Sequence, residues 1–351
     1  MTKIQKDVNY KTSEGYYLDT LEITSDFSFS KSEESLIRRG IRKHNTNAKL
    51  MSIIDVVKDK KRVKTYWKTY HCNHALLQNG TLLSGSLCRK RWCTHCCRIK
   101  TAEMTNAYKE PLLNLGNLYF VTLTRPNVKG RELKSEIKKL IKGFQAIKDN
   151  MRKTYGMKLE GMRKIEVTYN ENTNTYHPHF HLIQSNLIHA EKLTELWLNY
   201  FGNSKSIAQN ITAIDTRNEN SFIELFKYAT KETTKDGKQY SGIVLDTIYS
   251  SLEGIRIYQT YGSIKKQKQP IEEKIEKAEF SWLNPKQEIW VFEQRLKTWT
   301  NAYHHQLVNT LEYEYNRKQR HEQSETREAK IRQPDNHTYY IKANNSGQRN
   351  P

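Results

Sequence analysis

The sequence predicts an α+β fold in which an antiparallel sheet of about five strands is flanked by helices. The prediction rests on residues 115–264, where short runs of alternating apolar residues interchange with longer runs of helical spacing. A polar stretch, "NENTNT" at 170–175, separates two of the strand-like runs and is typical of a hairpin turn. A hairpin makes its two strands antiparallel neighbours, which favours an antiparallel sheet.

The elements of this domain follow in order. A strand is predicted in "LYFVTLT" (118–124), a helix over 131–156, and two strands in "MRKIEVTYNENTNTYHPHFHLIQ" (162–184). Two further helices are predicted over 190–202 and 221–235. The histidine-rich strand should lie at the centre of the sheet, with the helix over 221–235 crossing its histidine-bearing face.

Four other regions surround this domain. Residues 1–49 form a polar leader with a helix at "SEESLIRRGIRKHN" (32–45), and residues 50–114 form a basic region rich in Cys and His. Residues 265–332 are charged, and the spacing of their apolar residues predicts a helical extension. The final segment, 333–351, is predicted to be disordered because it is polar and has few residues that could be buried.

The charge of the chain predicts a polyanionic partner. The formal net charge is +20, and residues 36–110 hold 17 Lys and Arg against 4 Asp and Glu. Such a concentration favours nucleic acid, although a solvated lysine-rich surface would give the same count. The sequence has no apolar run near the ~18 residues of a membrane span and starts without an apolar signal core. We therefore expect a cytoplasmic protein whose five cysteines are not in disulfides.

The stretch "HPHFHLI" at 177–183 predicts a metal-binding strand. Residues two apart on a strand share a face, so His179 and His181 lie ~6.6 Å apart on one side and can converge on one ion. His177 is ~13 Å from His181 and stands beside Pro178, so we expect it to contact a ligand or substrate rather than the ion. The alternative is that the histidines fill a solvent-facing side of the strand.

The preceding strand offers a third ligand. In "MRKIEVTY", Ile165 and Val167 form an apolar face, while Glu166 points the other way with Lys164 and Thr168. If the two strands pair, Glu166 completes a site of two histidines and one carboxylate. Mixed nitrogen and oxygen ligands suit Mg²⁺ or Mn²⁺.

A helix in "SFIELFKYATKETTK" groups three reactive side chains. At about 100° per residue, Glu224, Tyr228 and Lys231 fall on one stripe, opposite an apolar stripe that includes Phe226. A phenol can act as a nucleophile, a lysine can offset phosphate charge, and a carboxylate can accept a proton from water. Alternatively, Glu224 completes a capping box with Ser221 and Tyr228 is an ordinary half-exposed ring.

The cysteines predict a structural zinc site. Four of them have a spacing that could form a tetrahedral thiolate site: Cys72, Cys88, Cys93 and Cys96. His74 or His95 could replace one of these cysteines as a ligand, and Cys97 is not needed for the site. The alternative is that the cysteines are free structural residues. Basic residues interleave with the cluster and suit contact with DNA phosphates: Arg89, Lys90, Arg91 and Arg98.

Three motifs occur in the order of a known family. "FVTLT" at 120–124, "HPHFHLI" with its core at 179–181, and "YATK" at 228–231 resemble the three motifs of the HUH endonucleases. Among these, the chain resembles the single-tyrosine rolling-circle replication initiators of small bacterial plasmids. The resemblance covers roughly residues 70–262, and a Cys-rich stretch before the first strand is similar to one in these initiators.

The resemblance implies a metal-dependent nicking reaction. Tyr228 would attack a phosphodiester of single-stranded or extruded origin DNA, form a 5′-phosphotyrosine and leave a 3′-OH primer. Glu224 would activate water for hydrolysis at termination. The family varies at the third metal ligand, so Glu171 is an alternative to Glu166. Some members use two catalytic tyrosines, and Tyr240 is a weak candidate for a second one.

Other functions are compatible with the same residues. A non-enzymatic zinc-dependent DNA-binding protein would make the histidines and Tyr228 incidental. A transposase or relaxase would share the chemistry, but transposases of this kind are usually shorter, and relaxases usually place the tyrosine before the histidines. The C-terminal extension could bind origin DNA, a host helicase or a second copy of the chain.

Overall fold

The computed structural model describes residues 31–80, 82–216, 226, 232–234, 236–267, 287–305 and 307–309. These residues form helices and two five-stranded antiparallel sheets, which confirms the predicted α+β class. They divide into two compact units. Of the described residues, one unit contains those within 31–100, 236–246 and 287–309, and the other contains those within 101–234 and 247–267.

The elements are numbered here in chain order. The helices are α1 (Lys31–Ile54), α2 (Lys60–Tyr70), α3 (Thr94–Leu113), α4 (Gly130–Thr154), α5 (Leu187–Tyr200) and α6 (Gly242–Ser251). The strands are β1 (Ala75–Asn79), β2 (Leu82–Gly85), β3 (Tyr119–Thr124), β4 (Gly161–Asn170), β5 (Thr175–Gln184), β6 (Asn210–Ala213), β7 (Tyr258–Tyr261), β8 (Glu288–Glu293), β9 (Thr298–Asn301) and β10 (Leu307–Asn309).

The first of the two sheets, called here the histidine sheet, has the strand order β6-β3-β5-β4-β7. Its central strand is β5, which carries the histidines, as predicted. The hairpin between β4 and β5 forms because the Asn170 side chain accepts hydrogen bonds from the backbone N–H groups of Asn172 and Thr173. Asn174 takes a positive φ of 48° in the same turn, a conformation that Asn tolerates better than most residues.

Helices α4 and α5 cover the face of the histidine sheet that lies opposite the histidines. The buried ring of Phe180 has its centroid 5.6 Å from that of Phe144 on α4 and 5.9 Å from that of Trp197 on α5. Because alternate residues of a strand point to opposite faces, this packing turns the flanking residues His179 and His181 to the other side.

The second sheet has the order β10-β9-β8-β1-β2 and corrects the prediction for the C-terminal segment. Residues 265–332 were predicted to be helical, but residues 288–309 form β8, β9 and β10. The helical prediction is wrong there: Trp290 and Phe292, two residues apart on β8, share one face of the strand and are both buried. They share one apolar cluster with Trp299 of β9.

Helix α1 packs on this second sheet. It includes the helix predicted at 32–45, and its Leu36 and Ile37 are fully buried in the cluster formed with the strands. The Trp299 indole N–H donates to the Leu36 carbonyl at 2.7 Å. The second half of the predicted polar leader is therefore part of a folded unit. Residues 1–30 and the predicted tail over 333–351 lie outside the described residues.

Candidate metal centres and nucleic-acid interface

Strand pairing brings the predicted metal ligands together on one face of the histidine sheet. Glu166 of β4 lies directly opposite His179 of β5, and Lys164 lies opposite His181. On the other side of β5, Thr122 of β3 is the register partner of His181. The structure thus confirms the pairing on which the choice of Glu166 depended.

The distances fit a single divalent cation. The Nε2 atoms of His179 and His181 are 3.0 Å apart, and the Nε2 of His181 is 3.9 Å from an Oε2 of Glu166. All three ligand atoms lie within 4.8 Å of one another. Two nitrogens bound to one ion at about 2.1 Å in neighbouring positions would be about 3 Å apart. The three side chains can therefore hold one metal ion.

Hydrogen bonds orient both imidazole rings for this role. The Nδ1 of His179 lies 3.0 Å from the backbone carbonyl of His177, which can only accept, so the proton of neutral His179 is on Nδ1. The Nδ1 of His181 lies 3.2 Å from the Thr122 hydroxyl. The Thr122 hydroxyl can donate or accept, so it is compatible with a proton on the Nδ1 of His181. In that tautomer both Nε2 lone pairs point toward the shared site, where a cation between them would be stabilised.

The electrostatics of the site favour a neutral His181 and an ionised Glu166. Burial and the neighbouring His179 together lower the pKa of His181 to about 3, although Glu166 acts in the opposite direction, so the His181 ring is neutral near pH 7. Burial alone would raise the pKa of Glu166, but Lys164, His179 and His181 together hold it well below its usual range. His177 stacks on His179 with ring centroids 4.9 Å apart, which is compatible with the predicted contact of His177 with a metal ligand.

Sequence reasoning assigned no role to Lys164. Its ammonium lies 2.8 Å from the Glu166 carboxylate, and both side chains are over 90 % buried. The alternation in "MRKIEVTY" had already placed Lys164 on the Glu166 face, which was the signal available in the sequence. Lys164 therefore compensates the buried carboxylate in the absence of a metal ion.

We expect Lys164→Met to increase the stabilisation that Mn²⁺ gives to the protein. Without Lys164, the buried charge of Glu166 lacks its partner, and breaking a buried pair in this way typically costs about 3–5 kcal/mol. A bound cation would neutralise the Glu166 carboxylate in place of Lys164, and in this variant no lysine ammonium would repel the cation. Thermal unfolding should show a lower Tm without metal and a larger Mn²⁺-induced rise in Tm than in the wild type.

The matched control is Lys134→Met, which removes an exposed lysine of α4. It should leave both the Tm and its Mn²⁺-induced rise unchanged. An equal rise for Lys164→Met and the wild type would show that Lys164 does not act on the metal site.

The second candidate centre is the cysteine cluster, which joins the end of α2 to the loop before α3. The structure brings together the four predicted thiols: Cys72, Cys88, Cys93 and Cys96. The Sγ of Cys96 is 3.6 Å from that of Cys72 and 3.7 Å from that of Cys88, and Cys93 is 3.7 Å from Cys72. Zinc–sulfur bonds of 2.3 Å in a tetrahedron place sulfurs about 3.8 Å apart, so the cluster fits Zn²⁺.

Backbone N–H groups support the sulfurs. The amide of Cys88 donates to the Sγ of Cys72 at 3.4 Å, and that of Arg89 donates to the Sγ of Cys96 at 3.3 Å. Such bonds stabilise thiolates and orient metal ligands. Cys97 is outside the cluster, as predicted, because its thiol donates to the Arg91 carbonyl at 2.9 Å. Neither His74 nor His95 belongs to the cluster of ligand atoms.

The predicted DNA-contacting residues surround this cluster. Arg89, Lys90 and Arg98 are exposed, whereas Arg91 is half-buried. Arg89 has a positive φ of 53°. Its backbone N–H donates a hydrogen bond to the Cys96 Sγ, which holds this turn against the cluster. A metal bound there would therefore fix the backbone from which these cations project.

The predicted nucleophilic helix lies largely outside the described residues. Glu224, Tyr228 and Lys231 are among those not described, so their roles stay predictions. Phe226, predicted to face the core from the same helix, is helical and fully buried. The two alternative residues are less suited to the site: Glu171 is exposed in the hairpin turn and Tyr240 is buried.

The histidine sheet and its helices form an HUH-like α+β fold with a histidine pair on the central strand. A family model described as "Replication protein" (Rep_1) matches residues 79–309. The chain therefore belongs to this family of replication proteins, the Rep initiators of plasmid rolling-circle replication.

Curated relatives carry the name "Protein rep". The chain is 29% identical to the protein from Staphylococcus aureus over 175 residues, which is 45% of this chain and 75% of that protein. It is 30% identical over 129 residues to proteins from Bacillus amyloliquefaciens and a Bacillus species, covering 33% of this chain and 38% and 42% of theirs. No solved structure matches significantly. Within the described ranges, the helices are too short or too polar to cross a bilayer.

Proposed function

We propose that this chain initiates rolling-circle replication by nicking one strand of plasmid origin DNA in the cytoplasm, with Tyr228 as the nucleophile. The observation that carries the proposal is the convergence of His179, His181 and Glu166 on a point within bonding reach of all three. A divalent ion held there, Mg²⁺ or Mn²⁺, would polarise the phosphate and stabilise its developing charge.

The first chemical step is a transesterification. The Tyr228 phenolate oxygen attacks the scissile phosphorus, and the bond from phosphorus to the 3′ oxygen breaks. The 3′ oxygen takes up a proton and becomes the primer 3′-OH, while the 5′ phosphate remains on the tyrosine. Lys231, three residues after Tyr228 in the sequence, would stabilise the phenolate and the phosphate charge.

Termination is the second step. Glu224 precedes Tyr228 by four residues in the sequence, a spacing that would place the two on one face of the predicted helix. It would accept a proton from a water molecule that attacks the phosphotyrosine, releasing the DNA 5′ phosphate and the free tyrosine. The cysteine cluster would hold a structural Zn²⁺ and fix the basic loop that contains Arg89 and Lys90.

Glu224→Gln is expected to preserve nicking and to slow release of the covalent DNA. The amide keeps the size of the side chain but loses the base, and general-base catalysis typically contributes about 10²–10⁴-fold. With Mn²⁺ and labelled single-stranded origin DNA, the variant should accumulate a covalent adduct that the wild type hydrolyses.

Two outcomes would count against this account. Loss of nicking in Glu224→Gln would place Glu224 in the first step or in the structure of the helix. If neither the wild type nor the variant cleaved DNA with any divalent ion while both bound it tightly, the chain would be a non-enzymatic DNA-binding protein.

A further inference from the structure

Helix α2 carries an unusually basic and aromatic surface. Its eleven residues, "KKRVKTYWKTY", include five Lys or Arg and no acidic residue. Exposed side chains follow one another at helical spacing along one side: Lys60, Lys64, Trp67, Lys68 and, at the C-terminal cap, His71. This set is called the α2 face.

The opposite side of the helix is firmly anchored. The Tyr66 hydroxyl donates to the Asp246 carboxylate at 2.8 Å, and Arg62 forms an ion pair with Asp246 at 3.0 Å. The Trp92 indole N–H, from the loop of the cysteine cluster, donates to the Thr69 hydroxyl at 2.9 Å. These contacts fix which side of α2 points outward and tie the helix to the basic loop.

Aromatic rings continue the α2 face beyond the helix. The centroid of the Trp67 ring is 5.2 Å from that of Tyr70, which is 5.7 Å from His71. His71 in turn lies 6.3 Å from His74, which is exposed. Trp67 is 39% exposed, a large apolar area for a residue that usually lies in a core or an interface.

We propose that the α2 face binds unpaired nucleotides of single-stranded DNA. Exposed aromatic rings stack on free base faces, which a duplex keeps covered, and a lysine row neutralises the backbone that carries those bases. Lys60 and Lys68 are eight residues apart, so the row extends about 12 Å along the helix. The inference deepens the proposed function, because initiation at an extruded origin exposes such a strand.

Charge favours DNA over a protein partner for this surface. The surrounding region, residues 36–110, has 17 basic against 4 acidic residues, so it attracts a polyanion such as DNA and repels a basic protein. Helix α4 provides a comparison, because its exposed Lys134, Lys138 and Lys142 have the same spacing but no exposed ring among them. Positive charge alone is therefore present elsewhere, whereas the α2 face combines charge with rings.

The test measures binding of the full chain, as Tyr228→Phe and without added divalent ions, to a labelled mixed-sequence oligonucleotide. The same oligonucleotide annealed to its complement serves as the duplex. Trp67→Ala should weaken single-strand binding about tenfold or more, and Trp67→Phe should restore most of it. Tyr303→Ala, which removes another exposed ring, should have no effect.

The lysines are tested through salt dependence. Substituting Lys60, Lys64 and Lys68 by Gln should reduce the slope of log affinity against log salt by about 2 for single strands. The same triple substitution at Lys134, Lys138 and Lys142 should leave the slope unchanged.

The proposal would be overturned if Trp67→Ala bound single-stranded DNA as tightly as the wild type. It would also be overturned if Trp67→Ala lost affinity only for the duplex, because α2 would then be a duplex-binding helix. Since no cleavage is measured, these results are independent of nicking. Failure of the nicking chemistry would leave the α2 result standing, and failure of the α2 test would leave nicking untouched.

Discussion

His181→Ala is expected to abolish divalent-metal binding at the histidine sheet and, with it, DNA nicking. The Nε2 of His181 lies 3.0 Å from that of His179 and 3.9 Å from Glu166, so its removal leaves two ligands. Loss of a group that merely orients a ligand typically lowers metal affinity 10–100-fold, and loss of a ligand itself should cost about 100-fold or more. Titration calorimetry with Mn²⁺ and a nicking assay on single-stranded origin DNA measure the two effects.

The matched control is His189→Ala. His189 belongs to α5, which packs on the opposite face of the histidine sheet, so its removal should change neither metal affinity nor nicking. DNA binding without divalent ions should be retained in both variants. Normal nicking by His181→Ala would show that the metal site is elsewhere.

Cys93→Ser is expected to release zinc and to unfold the region around the cysteine cluster. The Cys93 thiol is buried and lies 3.7 Å from that of Cys72. Structural zinc contributes roughly 10–16 kcal/mol in small zinc domains, which is comparable with the whole stability of a typical domain. Metal analysis of the purified protein and thermal unfolding report the loss.

Cys97→Ser is the control for this prediction, since it changes a neighbouring cysteine of equal burial. Cys97 donates to the Arg91 carbonyl, and a serine hydroxyl can make the same bond. Zinc content should stay at one ion per chain. Zinc retained by Cys93→Ser, or lost by Cys97→Ser, would mean that the ligand set is wrong.

The histidine site could be predicted from sequence because its information is local. Alternation along each strand decides which residues share a face, and the short hairpin turn pairs β4 with β5. Glu166, His179 and His181 then meet without knowledge of the rest of the fold. The same alternation places Lys164 on the same face as Glu166. Its effect on the Glu166 carboxylate depends on burial, which the sequence does not show.

The second sheet could not be predicted because its pairings are not local. Leu76 of β1 is the register partner of Trp290 of β8, more than two hundred residues later in the chain. The strands involved are three to six residues long, too short for a clear period of two. The apolar residues in this part of the sequence also fit a helical spacing by chance. The pairing of β8 with β1 and β9, and the burial of Trp290, Phe292 and Trp299 with Leu36 and Ile37, depend on contacts between distant parts of the chain.

The most direct test of the proposed chemistry is to locate a covalent link between the protein and origin DNA. Single-stranded origin DNA labelled at its 3′ end is incubated with the protein and Mn²⁺, and the labelled peptide is identified after proteolysis. We predict that the label is transferred to Tyr228, that Tyr228→Phe and His181→Ala transfer none, and that a free 3′-OH appears on the other fragment. Label on Tyr240 or another residue, or cleavage without a covalent intermediate, would contradict the account.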